Sequence, residues 1–161
     1  MVILRPTYLI DGDITDIQLD VLAADGIKGI IFDLDSTLLA PHSGRLTAEC
    51  EVWLQRARDQ FKVAVVSNNK NDPYIDQVQQ HLQMPVLHRA RKPSRRLFIQ
   101  VQQMWQLEPL EIAVVGDRPL TDVWGGQRAG MKTVLVWPLK SMNEPSWIKF
   151  FRRLERCVIK P

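Results

Sequence analysis

The chain has 161 residues, 45% of them hydrophobic and 24% charged, which is close to the average for globular proteins. This composition excludes collagen-like, coiled-coil and disordered classes, and no stretch approaches the ~20 apolar residues of a membrane-spanning helix. The N-terminus lacks the pattern of a secretory signal peptide. Two cysteines are too few for a disulfide scaffold or a zinc site, so we expect a cytoplasmic protein.

The formal net charge of +3 is distributed unevenly. Residues 1–37 contain seven Asp against two basic residues, whereas residues 89–96 contain five basic residues and no acid. Residues 146–161 contain five basic residues against one Glu. These three segments therefore need separate explanations.

Short apolar runs alternate with amphipathic segments along the chain. A short extension and a helix from about Thr15 to Ala24 are predicted first. The runs at 29–32, 63–66, 85–87, 112–115 and 133–136 have the length and β-branched content of buried strands. Three segments between them carry an apolar helical face, formed by Leu46, Cys50, Trp53, Leu54, Ala57 and Phe61, then by Tyr74, Ile75, Val78 and Leu82, and then by Leu97, Phe98, Val101, Met104 and Trp105. For the second of these helices, Asp72 is predicted to be the cap and Pro73 a residue of the first turn. A short helix from Thr121 to Ala129 is predicted to end at Gly130.

This alternation predicts an α/β fold, a three-layer Rossmann-like parallel sheet with helices on both faces. We expect one domain over residues 1–161. Residues 1–27 form an N-terminal extension, residues 28–137 the catalytic core, and residues 138–161 a linker and a C-terminal amphipathic helix.

Polar groups follow the predicted strands at the ends where ligands bind in such sheets. Asp33 and Asp35 follow the first strand, Ser67 the second, Lys92 the third and Asp117 the fourth. Clustered carboxylates repel one another unless a cation lies between them, and oxygen ligands suit Mg²⁺. Ser67 and Lys92 are donors for an anion beside that metal. Together these are the parts for phosphoryl transfer through an aspartyl-phosphate.

These residues resemble the four motifs of the haloacid dehalogenase-like (HAD) hydrolase superfamily, whose members are mostly Mg²⁺-dependent phosphatases. The motifs are 33–37 (Asp-Leu-Asp-Ser-Thr), Ser67, Lys92 and 116–122, which contains Gly-Asp and Thr-Asp. The resemblance implies that Asp33 is the nucleophile and that Asp35 exchanges protons with the leaving group and water. It also implies that Ser67 and Lys92 contact the phosphoryl group. The implied metal site comprises Asp33, Asp117, Asp122 and the backbone carbonyl of Asp35.

A narrower resemblance covers the segments that flank the motifs. Residues 26–30 and 125–131 are similar to those of the small class III, YqeG-type phosphatases. That group is similar to the phosphatidylglycerophosphate phosphatases of mitochondria and plastids, which release phosphate to give phosphatidylglycerol. Ser36 departs from the Asn that is more usual there. The implied substrate is therefore a phospholipid headgroup.

The spacing of the motifs leaves no room for a cap domain over the site. One helix with its loops occupies most of the interval between Thr37 and Ser67, and one helix and one strand occupy that between Ser67 and Lys92. An open site needs a large substrate, a membrane surface or a homo-oligomer to exclude water. The predicted substrate-binding residues are Thr37, Asn68, Arg91 and Arg95, the two arginines serving the second phosphate of the lipid. Nucleic acid is not an expected partner, since no stacking aromatics interleave with these charges.

Residues 147–160 have an aromatic face and a basic face at helical spacing. They predict either a terminal helix packed on the sheet or a helix lying on an anionic membrane.

Two alternatives to a lipid phosphatase remain open. One is a phosphatase for a soluble phosphomonoester that is gated by oligomerisation, and the other is a non-catalytic interaction module.

Overall fold

The computed structural model describes residues 4–40, 43–139 and 157. The predicted C-terminal helix therefore lies outside the described residues, as does most of the linker before it. Within the described part, no helix combines the length and apolar character that crossing a membrane requires.

Six parallel strands form one sheet in the order β1-β6-β5-β2-β3-β4. The strands are β1 (Tyr8–Leu9), β2 (Gly29–Phe32), β3 (Lys62–Val66), β4 (Val86–Leu87), β5 (Ile112–Gly116) and β6 (Lys132–Leu135). The two central strands are in register, with Gly29 opposite Ile112 and Phe32 opposite Val115. This confirms the predicted parallel α/β sheet.

Five α-helices lie between the strands: α1 (Leu19–Ala24), α2 (Ala48–Gln60), α3 (Asp72–Leu82), α4 (Arg96–Trp105) and α5 (Trp124–Arg128). A π-helical turn at Pro119–Val123 leads into α5, and Gly130, with a φ of 76°, takes the left-handed conformation beyond the helix end. Glycine adopts that conformation at no steric cost, so the predicted stop at Gly130 is explained.

Two large apolar clusters cover the sheet, beside a small third one formed by Leu4, Val123 and Leu135. The larger contains Phe32, Trp53 and Val115 and includes the buried faces of α1, α2 and α3. The smaller contains Ile31, Phe98 and Val114 beneath α4. A helix or sheet buries an apolar face only against another layer, so the two clusters account for the three-layer arrangement.

The N-terminal segment differs from the predicted extension and helix. Tyr8–Leu9 pairs with β6 as an edge strand, and the predicted helix from Thr15 is divided into a 3₁₀ turn at Ile14–Asp16 and α1. Asp13 and Asp16 form a reciprocal capping box that begins the 3₁₀ turn, and the extended backbone of Ile17 ends it before α1 starts.

Two further predictions about helices were wrong. The cap of α3 is Asn71, whose side chain accepts a hydrogen bond from the Tyr74 N–H at 3.3 Å, so Asp72 is the first helical residue. Met104, predicted on the buried face of α4, is 53% exposed. The other apolar positions predicted for α4 are buried, so the helix packs through a narrower stripe than the sequence pattern indicated.

Candidate active site

A buried lysine lies between two carboxylates at the carboxyl edge of the sheet. The Lys92 ammonium donates to Asp33 Oδ1 at 2.6 Å and to Asp122 Oδ1 at 2.6 Å. Asp33 follows β2 directly, and its backbone N–H donates to the carbonyl of Val115, the residue paired with Phe32 in β5. A buried ammonium is tolerated only when it is paired, and here two acids provide that pairing.

Three carboxylates converge at this point. One oxygen from each of Asp33, Asp117 and Asp122 lies within 4.8 Å of the other two. Asp117 follows β5 and accepts a hydrogen bond from the Thr37 hydroxyl at 3.3 Å. Asp122 is in the π-helical turn, and its second oxygen accepts from the Arg118 backbone N–H at 3.1 Å. Asp33, Lys92 and Asp117, which follow three different strands, are thus brought together as the strand-end argument predicted, and Asp122 lies beside them.

Gly116 is required for the close approach of Asp122. A Cβ atom added at Gly116 would lie 2.3 Å from the Asp122 carboxyl carbon, far inside van der Waals contact. The Gly-Asp pair at this strand end therefore has a steric basis, because the glycine leaves the volume that the Asp122 carboxylate fills.

The charges at this cluster shift one another's protonation. Burial raises the pKa of the Asp33 carboxyl to about 6, with the Lys92 charge opposing this and the Asp122 charge adding to it. Burial alone would lower the pKa of Lys92, but the charges of Asp122 and Asp33 outweigh it and raise the pKa above its ordinary value. Lys92 is therefore a permanent cation, and Asp33 is a carboxyl whose ionised form depends on cations beside it.

Asp35 points away from the three-carboxylate cluster. Its Oδ2 accepts from the Asn69 amide at 3.0 Å, and its Oδ1 accepts from the Tyr74 hydroxyl at 3.2 Å. Burial, and then the charge of Asp35, raise the pKa of Tyr74 above its ordinary value, which keeps this hydroxyl a donor. Tyr74 was predicted as a core residue of α3. Its ring does pack against the larger apolar cluster, but its hydroxyl belongs to the site.

The turn after β3 holds the backbone of Lys92 in place. The buried Ser67 hydroxyl accepts from the Asn69 backbone N–H at 3.1 Å. Asn68 holds the Lys92 backbone at both polar groups, since its Oδ1 accepts from the Lys92 N–H at 2.6 Å and its Nδ2 donates to the Lys92 carbonyl at 3.3 Å. Asn68, which was predicted to bind substrate, thus makes protein contacts that fix the lysine.

The backbone at Ser36 explains the residue preference noted above. Ser36 has a φ of 72°, in the left-handed region. Among residues with a side chain, Asn is enriched in that region several-fold. The Asn that the resemblance leads us to expect at this position would therefore fit the turn better than Ser does.

Comparisons with known proteins agree with this geometry. Residues 4–140 match the family model described as mitochondrial PGP phosphatase, where PGP is phosphatidylglycerophosphate. The chain belongs to this family. It is a HAD-type phosphoric monoester hydrolase, and the alternative of a non-catalytic interaction module is set aside.

Individual relatives differ in length from this phosphatase. The protein named "Probable phosphatase YqeG" from Bacillus subtilis (strain 168) is 34% identical over 83% of this chain and 77% of its own length. Phosphatidylglycerophosphate phosphatase 1, chloroplastic/mitochondrial, from Arabidopsis thaliana is 33% identical over 92% of this chain. The chain spans only 45% of that plant protein's length.

A solved structure shows the same fold. The haloacid dehalogenase-like family protein SP0104 from Streptococcus pneumoniae aligns with a TM-score of 0.57 and 13% identity, over 73% of this chain and 88% of its own. Within the described residues, the intervals between the motifs hold only α2 and β3, then α3 and β4. The phosphatase therefore shows no cap over the site in the part of the chain that the structure describes.

In the basic segment at residues 89–96, Arg89 forms an ion pair, whereas Arg91 and Arg95 are exposed to solvent. Arg89 donates to both Asp72 oxygens, at 3.2 and 2.6 Å, which joins the loop before Lys92 to the start of α3. Arg91 and Arg95, both predicted to bind substrate, are exposed on either side of Lys92. Their charges thus face solvent close in sequence to Lys92.

Proposed function

We propose that this phosphatase is Mg²⁺-dependent, acts through an aspartyl-phosphate on Asp33, and converts phosphatidylglycerophosphate to phosphatidylglycerol. One observation carries the chemistry, namely the buried Lys92 held between Asp33 and Asp122 with Asp117 beside them. That set offers a carboxylate nucleophile, a fixed positive charge and further carboxylates in one small volume. The family name and the printed name of the Arabidopsis relative support the substrate.

The donor set fits a hard dication. Carboxylate oxygens of Asp33, Asp117 and Asp122 lie close enough together to share one ion, and oxygen donors of this kind are those that Mg²⁺ prefers. The hypothesis also includes the backbone carbonyl of Asp35 as a ligand, with Asp122 supporting a bound water. When bound, Mg²⁺ would neutralise the charge of the phosphoryl oxygens and would favour the ionised form of Asp33.

In the first half of the proposed reaction, an Asp33 oxygen attacks phosphorus in line with the leaving oxygen. A bond forms between that carboxylate oxygen and phosphorus, and the bond from phosphorus to the leaving oxygen breaks. The proton of Asp35 passes to the leaving oxygen, which departs as the free hydroxyl of the glycerol headgroup. Lys92 and the Ser67 hydroxyl donate to phosphoryl oxygens, whose negative charge is then held by fixed donors.

In the second half, Asp35 acts as a base. It takes a proton from a water molecule whose oxygen attacks phosphorus, and the bond between phosphorus and Asp33 breaks. Inorganic phosphate leaves, Asp33 is regenerated as a carboxylate, and Asp35 is again protonated for the next cycle. Asp35 thus serves as the acid in the first step and as the base in the second.

Two features of the described residues support a lipid substrate, namely the open edge of the site and its exposed charges. Arg91 and Arg95 flank Lys92, and phosphatidylglycerophosphate carries a second, diester phosphate that two guanidinium groups can bind. A lipid headgroup that remains in a membrane would itself cover an uncapped site and exclude water from it.

The test is a phosphate-release assay with phosphatidylglycerophosphate and, as a soluble comparison, glycerol 3-phosphate. We expect turnover that needs Mg²⁺, stops on addition of a chelator and strongly prefers the lipid. Asp33→Asn removes the nucleophile and should show no detectable release with either substrate.

Asp20→Asn is the matched control, because Asp20 is an exposed aspartate on α1 and makes the same chemical change away from the site. It should retain wild-type rates. Full activity of Asp33→Asn would refute the mechanism, whereas strong preference for glycerol 3-phosphate would refute the lipid substrate alone and favour a soluble phosphomonoester.

A further inference from the structure

The Asp35 carboxylate is held at both of its oxygens by neighbours that no HAD motif includes. Asn69 donates to Oδ2 at 3.0 Å and Tyr74 donates to Oδ1 at 3.2 Å. An ionised carboxylate offers about four lone-pair directions, two on each oxygen. Two donors therefore fix the plane of the carboxylate and still leave each oxygen a direction for proton transfer.

These two donors are themselves anchored by a chain of hydrogen bonds. The Asn69 backbone N–H donates to the Ser67 hydroxyl, and Asn69 Oδ1 accepts from the Asn71 N–H at 2.9 Å. Asn71 in turn caps α3 by accepting from the Tyr74 N–H. The network thus runs from the end of β3 to the first turn of α3, and it ends on Asp35 at two points.

The helix that carries Tyr74 is fixed by the core. Ile75, Val78 and Leu82 are buried in the larger apolar cluster, and the Tyr74 ring packs against the same cluster. Asp35, by contrast, lies in the turn after β2, next to the left-handed residue Ser36. A side chain in a turn has less to hold it than one on a packed helix, so the helix supplies the rigidity that the turn lacks.

We propose that Tyr74 is a positioning residue that, together with Asn69, orients Asp35 for proton transfer to the leaving oxygen. This inference rests on the proposed function and adds to it a residue outside the four motifs. A general acid contributes only when it is within hydrogen-bond reach and correctly directed toward the oxygen it protonates. Loss of the Tyr74 hydroxyl would leave Asp35 present but able to rotate.

The experiment uses the dependence on leaving group. Glycerol 3-phosphate releases a strongly basic alkoxide oxygen that needs a proton, whereas p-nitrophenyl phosphate releases a weakly basic phenolate that needs little help. We expect Tyr74→Phe to lower kcat/KM for glycerol 3-phosphate roughly tenfold, a part of the 10²–10⁴-fold that a positioned acid typically supplies. The value for p-nitrophenyl phosphate should change less than about threefold, since it draws little on that acid.

The ratio of the two kcat/KM values is measured on one preparation, so a partly unfolded sample lowers both values equally and leaves the ratio intact. The matched control is Tyr8→Phe, which removes the only other tyrosine hydroxyl in the chain. That hydroxyl donates to Asp25, which precedes β2 and pairs with Lys132 at the start of β6. Asp25 therefore lies at the edge of the sheet opposite the site, and removal of the hydroxyl should leave the ratio unchanged.

An unchanged ratio in Tyr74→Phe, with Asp33-dependent activity present, would overturn this inference and leave the proposed function standing. A ratio that falls equally in Tyr8→Phe would also overturn it. Activity that survives Asp33→Asn would instead overturn the proposed function, and this inference with it.

Discussion

Asn68 and Lys92 illustrate how a residue can matter at the site without touching a reacting atom. The Asn68 amide binds both polar groups of the Lys92 backbone, and the lysine side chain then extends to Asp33 and Asp122. The ammonium group lies at the end of a long flexible side chain. Its position relative to Asp33 therefore depends on how firmly the Lys92 backbone is held. The Asn68 amide therefore positions the Lys92 ammonium indirectly, by holding the Lys92 backbone.

Replacing Asn68 by Ala distinguishes this interpretation from substrate binding. We expect kcat to fall about tenfold with KM little changed, because the interaction lost is one that acts in the transition state. Loss of two hydrogen bonds should also lower the free energy of unfolding by about 1–3 kcal/mol. Steady-state kinetics and urea denaturation measure both effects.

Gln100→Ala is the matched control, since it removes an exposed amide from α4. It should change neither quantity. A rise in KM for Asn68→Ala at unchanged kcat would instead support the substrate-binding role that was predicted from the sequence.

At the residue scale, the sequence predicts the charged centre but not its supports. Asp33, Lys92 and Asp117 each follow a recognisable apolar run, and parallel strands bring their carboxyl ends to one edge. Tyr74 gives no such signal, because it lies on α3 and follows no strand end. Asn69 does follow β3, but nothing in the sequence pairs its amide with Asp35. A tyrosine at helical spacing is predicted to be a core residue, and this prediction is correct for the ring of Tyr74, which packs against the larger apolar cluster.

The start of α3 shows the same limit at the scale of an element. The sequence Asn71-Asp72-Pro73 offers two adjacent residues that both cap helices well, and proline fits either of the first helical positions. The choice of Asn71 follows from its second contact, since its backbone N–H donates to Asn69 Oδ1. Asp72 is thereby left to pair with Arg89.

Capping at Asn71 can be tested by a pair of substitutions. We expect Asn71→Ala to lower the free energy of unfolding by about 1 kcal/mol, the usual value for a lost helix cap. Asp72→Ala loses an ion pair whose two side chains are more than half exposed, which is worth less than about 1 kcal/mol. Thermal and urea denaturation compare the two.

Because Asn71 also supports Tyr74, Asn71→Ala should shift the leaving-group ratio in the same direction as Tyr74→Phe, whereas Asp72→Ala should not. A larger loss of stability for Asp72→Ala would restore Asp72 as the cap. The strand β1 was not predicted. It is an edge strand with one half-buried and one exposed residue, so it lacks the buried apolar run that indicated the central strands.

In the part of the chain that the structure describes, the site is open at one edge of the sheet, and this edge offers charged groups to a substrate. The acidic N-terminal segment includes Asp33, which is neutralised by Lys92. In the basic segment, Arg89 pairs with Asp72. Arg91, Arg95 and Arg96 are exposed and carry the positive charge that remains, with Arg91 and Arg95 nearest Lys92 in sequence. Such exposed charges act mainly on encounter and binding, and salt weakens them.

Neutralising these two arginines should therefore separate the lipid from its soluble counterpart. We expect Arg91→Gln/Arg95→Gln to raise the apparent KM for phosphatidylglycerophosphate by roughly three- to tenfold at low ionic strength, because each exposed contact contributes up to about 1 kcal/mol. The KM for glycerol 3-phosphate, which has no second phosphate, should stay within about twofold. The rise in KM for the lipid should shrink as salt increases toward 0.5 M.

Lys28→Gln/Arg56→Gln is the control. It removes the same net charge from two exposed positions, one before β2 at the opposite end of the sheet and one on α2. If this control raised the KM for the lipid as much, overall charge would account for the effect, and a site for the second phosphate at Arg91 and Arg95 would be excluded.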